Sequence, residues 1–282
     1  MADRATAANL SGVPETLLWP LYARAAEARR PDALLCDPKA VELFDSIDYP
    51  FEARFGRPPQ VLALRELLFD NHVRHFLARH PRGTIVALAD GLNTQFWRLD
   101  NGQARWLSID LPEVIPLRRR LLADTERSRS VAFSALDEAW MDLVDRRHGV
   151  FITAQGLLMY LDASDVYALI LRCASAFPRA AMMFDAMPHL FTASIRGDTI
   201  LNAVFMRGKR RGNDRYQLPP MFWSSTFGQA RKRLEDDSNV RKVRFVGLPR
   251  GRGFTFGYGG PLLDAFPGLR SVTPWHAIVE FA

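Results

Sequence analysis

The chemistry of this chain is most legible at two residues. Gly91 follows closely on an apolar run, Ile85-Val86-Ala87-Leu88, and Asp110 stands 19 residues further on, at the end of a second run, Trp106 to Ile109. A glycine just past a strand lets the backbone approach a ligand where any side chain would collide. A carboxylate about 20 residues later can accept hydrogen bonds from both hydroxyls of a ribose. Together the pair predicts a pocket for an adenosine-containing cofactor, with Ala89, Asp90 and Leu111 beside it. Taken singly, each also fits a simpler part: Gly91 a turn, and Asp110 a cap on the helix that starts near Pro112.

The neighbours of Gly91 narrow the cofactor. A dinucleotide asks for G-x-G-x-x-G, so that its pyrophosphate can rest on a helix N-terminus. Here Leu92, Asn93, Thr94 and Gln95 follow the glycine, and Asp90 puts an anion where phosphates would lie. That pattern disfavours a nicotinamide dinucleotide. It suits a sulfonium nucleoside, S-adenosyl-L-methionine, which carries no phosphate. A later group, Gly251, Gly253 and Gly257, has the wrong spacing and reads as loop.

Methyl transfer from a sulfonium is an in-line displacement, and the protein must hold the nucleophile about 3 Å from the methyl and keep water out. A carboxylate acceptor, with a pKa near ~4, is already ionised, whereas a phenol near ~10 needs a base. No Ser/His/Asp or paired-carboxylate pattern stands out, which suits a carboxylate, although one histidine could serve a phenol. His72 and His75 share a helix face with Asp70 nearby. The spacing is not H-E-x-x-H and a third ligand is missing, so no metal site is expected. Tyr22, His72 and Tyr160 are the candidates for proton handling, and Tyr22, Tyr160, Met187 and Trp223 for an aromatic acceptor pocket. Plain core packing fits these side chains equally well.

Such residues need a scaffold. Helical spacing runs over Glu15–Arg30, stopped by Pro31, and over Val61–Arg79, stopped by Pro81. From Thr84 the pattern changes to short strands: Thr84–Ala89, Arg105–Ile109, Ser130–Ser134, Gly149–Ala154 and Ala180–Asp185. Helices Glu113–Ala123 and Ser164–Phe177 lie between them, and strands Val240–Leu248 and Trp275–Ala282 follow. Near-continuous apolar strands separated by helices predict a parallel sheet covered on both faces. The expectation is one α/β domain over residues 1–282. It has a helical N-terminal cover at 1–82, a cofactor-binding core at 83–185, a basic insertion or lid at 186–240 and C-terminal strands at 241–282.

Composition excludes several classes. The 282 residues are 48% hydrophobic and 24% charged, which rules out disorder and collagen-like repeats. Two cysteines, Cys36 and Cys173, cannot make a disulfide framework. No apolar run reaches the ~18 residues of a membrane span. Met1-Ala2-Asp3-Arg4 lacks the charged-then-apolar pattern of a leader, so a cytoplasmic protein without membrane partners is expected. The net charge of +6 is uneven, because residues 196–252 hold fourteen Lys or Arg against five Asp or Glu. A basic block can attract nucleic acid, but the usual aromatic-plus-basic stacking patterns are missing. A small-molecule substrate is the expected partner, with a homo-oligomer compatible.

Ile85–Leu99, IVALADGLNTQFWRL, resembles the signature of the leucine carboxyl methyltransferase superfamily, whose usual form is close to LGAGLDTRFWRL. The likeness continues through Asp110-Leu111-Pro112-Glu113, Ser134-Ala135-Leu136-Asp137 and Thr153-Ala154-Gln155-Gly156-Leu157. Upstream, Val13-Pro14-Glu15-Thr16 with Leu21-Tyr22-Ala23-Arg24 is similar to the bacterial branch that methylates polyketide-type small molecules. The resemblance implies a class I S-adenosyl-L-methionine methyltransferase fold, Rossmann-like, with a mostly parallel seven-stranded sheet. It implies that Arg65 holds the methionine carboxylate and that Ala89, Asp90 and Gly91 underlie the cofactor. Asp110, with Leu111, would take the ribose, and Leu136, with Ala135 and Asp137, would meet adenine. Gln155 stands near the cofactor amino group, where relatives often have Glu. Ala89 replaces the first glycine of the loop, and Asn93 and Gln95 replace Asp and Arg of its D-T-R segment.

The expected activity is an S-adenosyl-L-methionine-dependent O-methyltransferase forming a methyl ester on a polyketide-like acceptor. The alternatives are methylation of a protein C-terminal carboxylate, and a cofactor-binding pathway protein without turnover, motivated by Ala89 and Asn93. A nucleic-acid methyltransferase rests only on the basic block and lacks the N/D-P-P-Y motif.

Overall fold

The computed structural model describes residues 5–6, 13–189, 192, 216, 218–259 and 273–282. Seven strands form one sheet: β1 (Thr84–Leu88), β2 (Arg105–Asp110), β3 (Ser128–Ala132), β4 (Val150–Ala154), β5 (Ala181–Ala186), β6 (Val240–Val246) and β7 (Trp275–Phe281). Their spatial order is β3-β2-β1-β4-β5-β7-β6. The first five run parallel, and β7 lies antiparallel between β5 and β6. The order reverses at β1, so the loops after β1 and β4 leave in opposite directions and open a crevice at their carboxyl ends.

Eight α-helices flank the sheet: α1 (Leu18–Ala28), α2 (Pro38–Ser46), α3 (Phe51–Phe55), α4 (Gln60–Arg79), α5 (Gln95–Leu99), α6 (Ile115–Leu121), α7 (Ala163–Ala176) and α8 (Phe227–Glu235). Strands buried on both faces cannot show alternation, and β1 and β4 are buried at every position. On one face Phe69, Val73 and Phe76 of α4 and Phe96 of α5 pack on Ile85, Trp106, Phe151, Met183 and Ile278. On the other, Val166, Leu169, Ile170 and Cys173 of α7 and Ala230 and Leu234 of α8 pack on Val86, Ile152, Met182 and Val279. A third cluster joins α1, α2 and α3 through Leu18, Leu21, Leu43 and Phe51 to Leu92, just past β1. The helical segment ahead of the sheet therefore rests on the crevice.

Departures from the expected elements have local causes. The first helix opens as a 3-10 turn, Val13–Leu17, before α1, and Pro20 sits within the first α-turn, where its missing N–H costs nothing. β3 begins two residues earlier than expected, at Ser128. Its alternate serines, which disguise it as a loop, face a buried arginine, Arg118, with Ser130 Oγ accepting at 3.2 Å. The proposed insertion at 186–240 falls largely on residues 190–191, 193–215 and 217, outside the described residues.

Candidate active site

The chain turns as soon as β1 ends. Ala89 and Gly91 both have φ +51°, the left-handed region that favours glycine. A Cβ on Gly91 would stand 2.7 Å from Leu17 Cδ2, so space and backbone both favour glycine there. The Gly91 amide donates to Asp110 Oδ2 at 2.7 Å, and the Leu111 amide donates to Oδ1 at 2.8 Å. Each carboxylate oxygen keeps an acceptor position, the pair a vicinal diol needs. Burial pushes the Asp110 carboxyl above its ordinary range, and the two amides oppose that.

Under this loop lies Arg118 of α6, fully buried. It donates to the Gly91 carbonyl at 2.6 Å and to Ser108 Oγ at 2.8 Å, and pairs with Asp90 at 2.7 Å. Asp90, which also accepts from Ser108 at 2.6 Å, is thus neutralised from below. This corrects the expectation that its charge faces the place where phosphates would sit.

A cavity of about 910 Å³ opens over the crevice, large enough for a nucleoside cofactor and a small acceptor together. Glu66, Ala89, Asp90, Gly91, Asp110, Leu111, Ala135 and Gln155 bound its polar end, and Trp19, Met159, Tyr160, Met187, Tyr216, Pro220 and Phe222 bound its apolar end. Between them Arg65 pairs with Asp185 at 2.8 Å, and Asp185 accepts from the Gly156 amide at 2.6 Å. His276 faces Asp185 across the β5–β7 ladder and is 4% exposed. Burial drives the His276 pKa down to about 4, with Asp185 opposing, so the ring is neutral at ordinary pH. Burial raises the Tyr160 hydroxyl, against the pull of Arg65 and with help from Asp185.

The structure brings Arg65, Ala89, Asp90, Gly91, Asp110, Leu111, Ala135, Gln155, Tyr160 and Met187 to this one cavity. Other expected residues lie off it. Tyr22 packs inside the helical cover against Phe44, Phe51 and Phe55, with ring centroids 5.7, 5.6 and 6.4 Å away. Trp223 is 2% exposed and sits among Tyr167, Phe184 and Trp275; its neighbour Phe222 takes the rim. His72 is half-buried near Arg244 and His75, away from the cavity lining. Leu136 packs on the main core, and Asp137 caps the 3-10 helix Glu138–Leu143 by accepting from the Ala139 amide. Among the described residues no cluster is arranged to hold a metal, and no helix is long and apolar enough to cross a membrane.

Sequence reasoning missed Glu66, Arg98, Arg118, Asp185 and His276. Arg118 stands in the run Arg118-Arg119-Arg120, which reads as a solvated face. Arg98 lies in the quoted signature and is nearly fully buried, pairing with Asp37 at 2.6 Å, Asp70 at 2.8 Å and Glu66. Gln95 donates to Asp70 at 2.9 Å, so this departure from the family pattern still serves the loop.

Known proteins share these features. The family profile described as leucine carboxyl methyltransferase matches residues 18–174. The tetracenomycin polyketide synthesis O-methyltransferase TcmP of Streptomyces glaucescens is 35% identical over 182 residues, which span 64% of this chain and 67% of that protein. The S-adenosyl-L-methionine-dependent methyltransferase dpfgK of Gibberella zeae is 30% identical over 60% of this chain and 63% of its own length. A solved structure from Thermobifida fusca YX, described as a methyltransferase, aligns with a TM-score of 0.53 at 17% identity, covering 96% of this chain and 99% of the other. That last likeness is one of fold. Fold and family together define an S-adenosyl-L-methionine-dependent methyltransferase. The chain belongs to the leucine carboxyl methyltransferase family.

Proposed function

We propose that the protein methylates an oxygen of a small, flat, polyketide-type acceptor, and that this oxygen belongs to a carboxylate, so that the product is a methyl ester. The observation that carries this reading is the continuity of the cavity. The Gly91–Asp110 corner and the apolar wall of Trp19, Met187, Pro220 and Phe222 bound one space, so donor and acceptor meet without crossing water, as in-line displacement requires. Cover, core and C-terminal strands act as one unit here, because Trp19, Asp110 and His276 all line that space.

The residues present fit the donor. The two remaining acceptor positions on Asp110 suit the ribose diol, Ala135 borders the adenine position, and Arg65 suits the tail carboxylate through a two-pronged contact. When bound, the donor supplies an electrophilic methyl on a cationic sulfur. The acceptor oxygen forms the new C–O bond as the C–S bond breaks, and a carboxylate carries no proton to be removed at neutral pH. Met187, Pro220 and Phe222 exclude water from that displacement.

One observation favours a phenol instead: the neutral His276 lines the same cavity and could accept the phenolic proton. Methyl-labelled donor incubated with an aromatic polyketide acid, and separately with a phenol of the same skeleton, distinguishes the two. Label that mild alkali releases is an ester and supports the proposal. Alkali-stable label is an ether and moves the assignment to the phenol. Label found only on protein C termini overturns the small-molecule reading.

A further inference from the structure

Arg65 and Glu66 are consecutive residues of α4, carry opposite charges, and both line the cavity. Glu66 belongs to a buried polar node that also contains Asp37, Asp70, Arg24 and Arg98. Arg98 contacts all three carboxylates, while Arg24 meets Asp37 at 3.3 Å and Glu66 at 3.7 Å. Three carboxylates thus face two buried guanidiniums, with the half-exposed Arg74 reaching Asp70 at 3.8 Å. Of the three carboxylates only Glu66 borders the cavity, so the excess negative charge of the node emerges there. The other carboxylates around this end are matched or committed: Asp90 to Arg118, Asp185 to Arg65, and Asp110 to the loop amides.

Glu66 reaches the cavity through Gln155. Gln155 Nε2 donates to Glu66 Oε2 at 2.9 Å, and the second oxygen of Glu66 accepts from Arg98. An amide has one donor end and one acceptor end, so a carboxylate that takes the NH₂ turns the carbonyl the other way. Burial by itself would raise the Glu66 carboxyl, but Arg98 and then Arg24 outweigh it and hold the pKa down at about 2. The carboxylate therefore stays charged and can only accept.

We infer that Gln155 and Glu66 form a divided receptor for the α-ammonium of the donor, in which the Gln155 carbonyl makes the contact and Glu66, one layer below, supplies the negative charge and fixes the amide's orientation. The inference rests on the reading of the cavity as the S-adenosyl-L-methionine site. Arg65 then takes the tail carboxylate, so two adjacent residues of one helix complement the two ends of an amino-acid zwitterion. Glu66 is a positioning residue, because it acts through Gln155.

Calorimetry with two donor-related probes tests this without turnover. S-Adenosylhomocysteine keeps the amino-acid tail, and 5′-methylthioadenosine keeps only the nucleoside. Glu66→Gln should weaken S-adenosylhomocysteine about tenfold or more, the scale of a charge-assisted hydrogen bond, and leave 5′-methylthioadenosine unchanged. The double exchange Glu66→Gln with Gln155→Glu, which returns the charge one layer higher, should restore the affinity to within about threefold. Gln155→Leu, which leaves the ion node intact, should show the same selective loss if Glu66→Gln fails to fold. Equal weakening of both probes, or unchanged S-adenosylhomocysteine binding by folded Gln155→Leu, overturns the proposal. If wild-type protein binds neither probe, the assignment of the cavity fails before that of Glu66.

Discussion

The amide of Gly91 is hydrogen-bonded to Asp110 Oδ2 at 2.7 Å, so the loop that makes room for the cofactor and the acid that grips it hold each other in place. Asp110→Ala should cost about 1–3 kcal/mol of S-adenosyl-L-methionine affinity, as expected for removing a charge-assisted partner. Calorimetric titration checks this. Unchanged affinity would move the nucleoside elsewhere in the cavity.

Ala89 holds a left-handed conformation at φ +51° that costs an alanine on the order of 1 kcal/mol relative to glycine. Ala89→Gly should therefore raise stability by up to about 1 kcal/mol, despite the greater freedom glycine gives the unfolded chain. Donor affinity should be preserved. Thermal denaturation and titration of the same preparation read both effects, and a lower melting temperature would count against strain at this residue.

Trp223 and Phe222 are neighbours with opposite fates. Trp223→Ala opens a hole among Tyr167, Phe184 and Trp275 and should cost about 3–5 kcal/mol of stability. Phe222, 57% exposed at the rim, should change stability by less than about 1 kcal/mol on replacement by alanine, while raising KM for the acceptor. Urea unfolding and steady-state kinetics separate the two.

Acid should weaken the fold through His276. Its folded pKa is about 4 against an ordinary 6.5, so between these values the unfolded chain binds a proton that the native protein does not. The contribution is whole above about pH 6.5 and is lost as pH falls toward 4, by up to about 3 kcal/mol. The urea midpoint should drop over that window, and His276→Asn should flatten the slope. An equally steep profile in the variant would exclude His276 as its source.

The sheet was largely legible because buried parallel strands write themselves as apolar runs: six of its strands were expected within two residues at either end, and β3 was displaced by its serines. Gly91 and Asp110 were legible because backbone geometry and ribose chemistry restrict which residues can stand there. Arg118, Arg98 and Glu66 were not, since a buried charge looks like a surface charge until its partners, here Asp90, Asp37, Asp70 and Gln155, come in from distant parts of the chain. Tyr22 and Trp223 misled for the converse reason. An aromatic side chain suits a pocket and a core equally, and only packing decides.

The node around Arg98 also sets how far this molecule can be pared down. It pins the N-terminal helices to the first loop of the sheet through Asp37, Glu66 and Asp70, so excising those helices would strand a cation in an apolar seam, at a cost of several kcal/mol. A shortened, sheet-only version should consequently emerge as an aggregating fragment rather than a lean nucleoside binder, and any redesign toward a smaller catalyst would have to replace this arginine first.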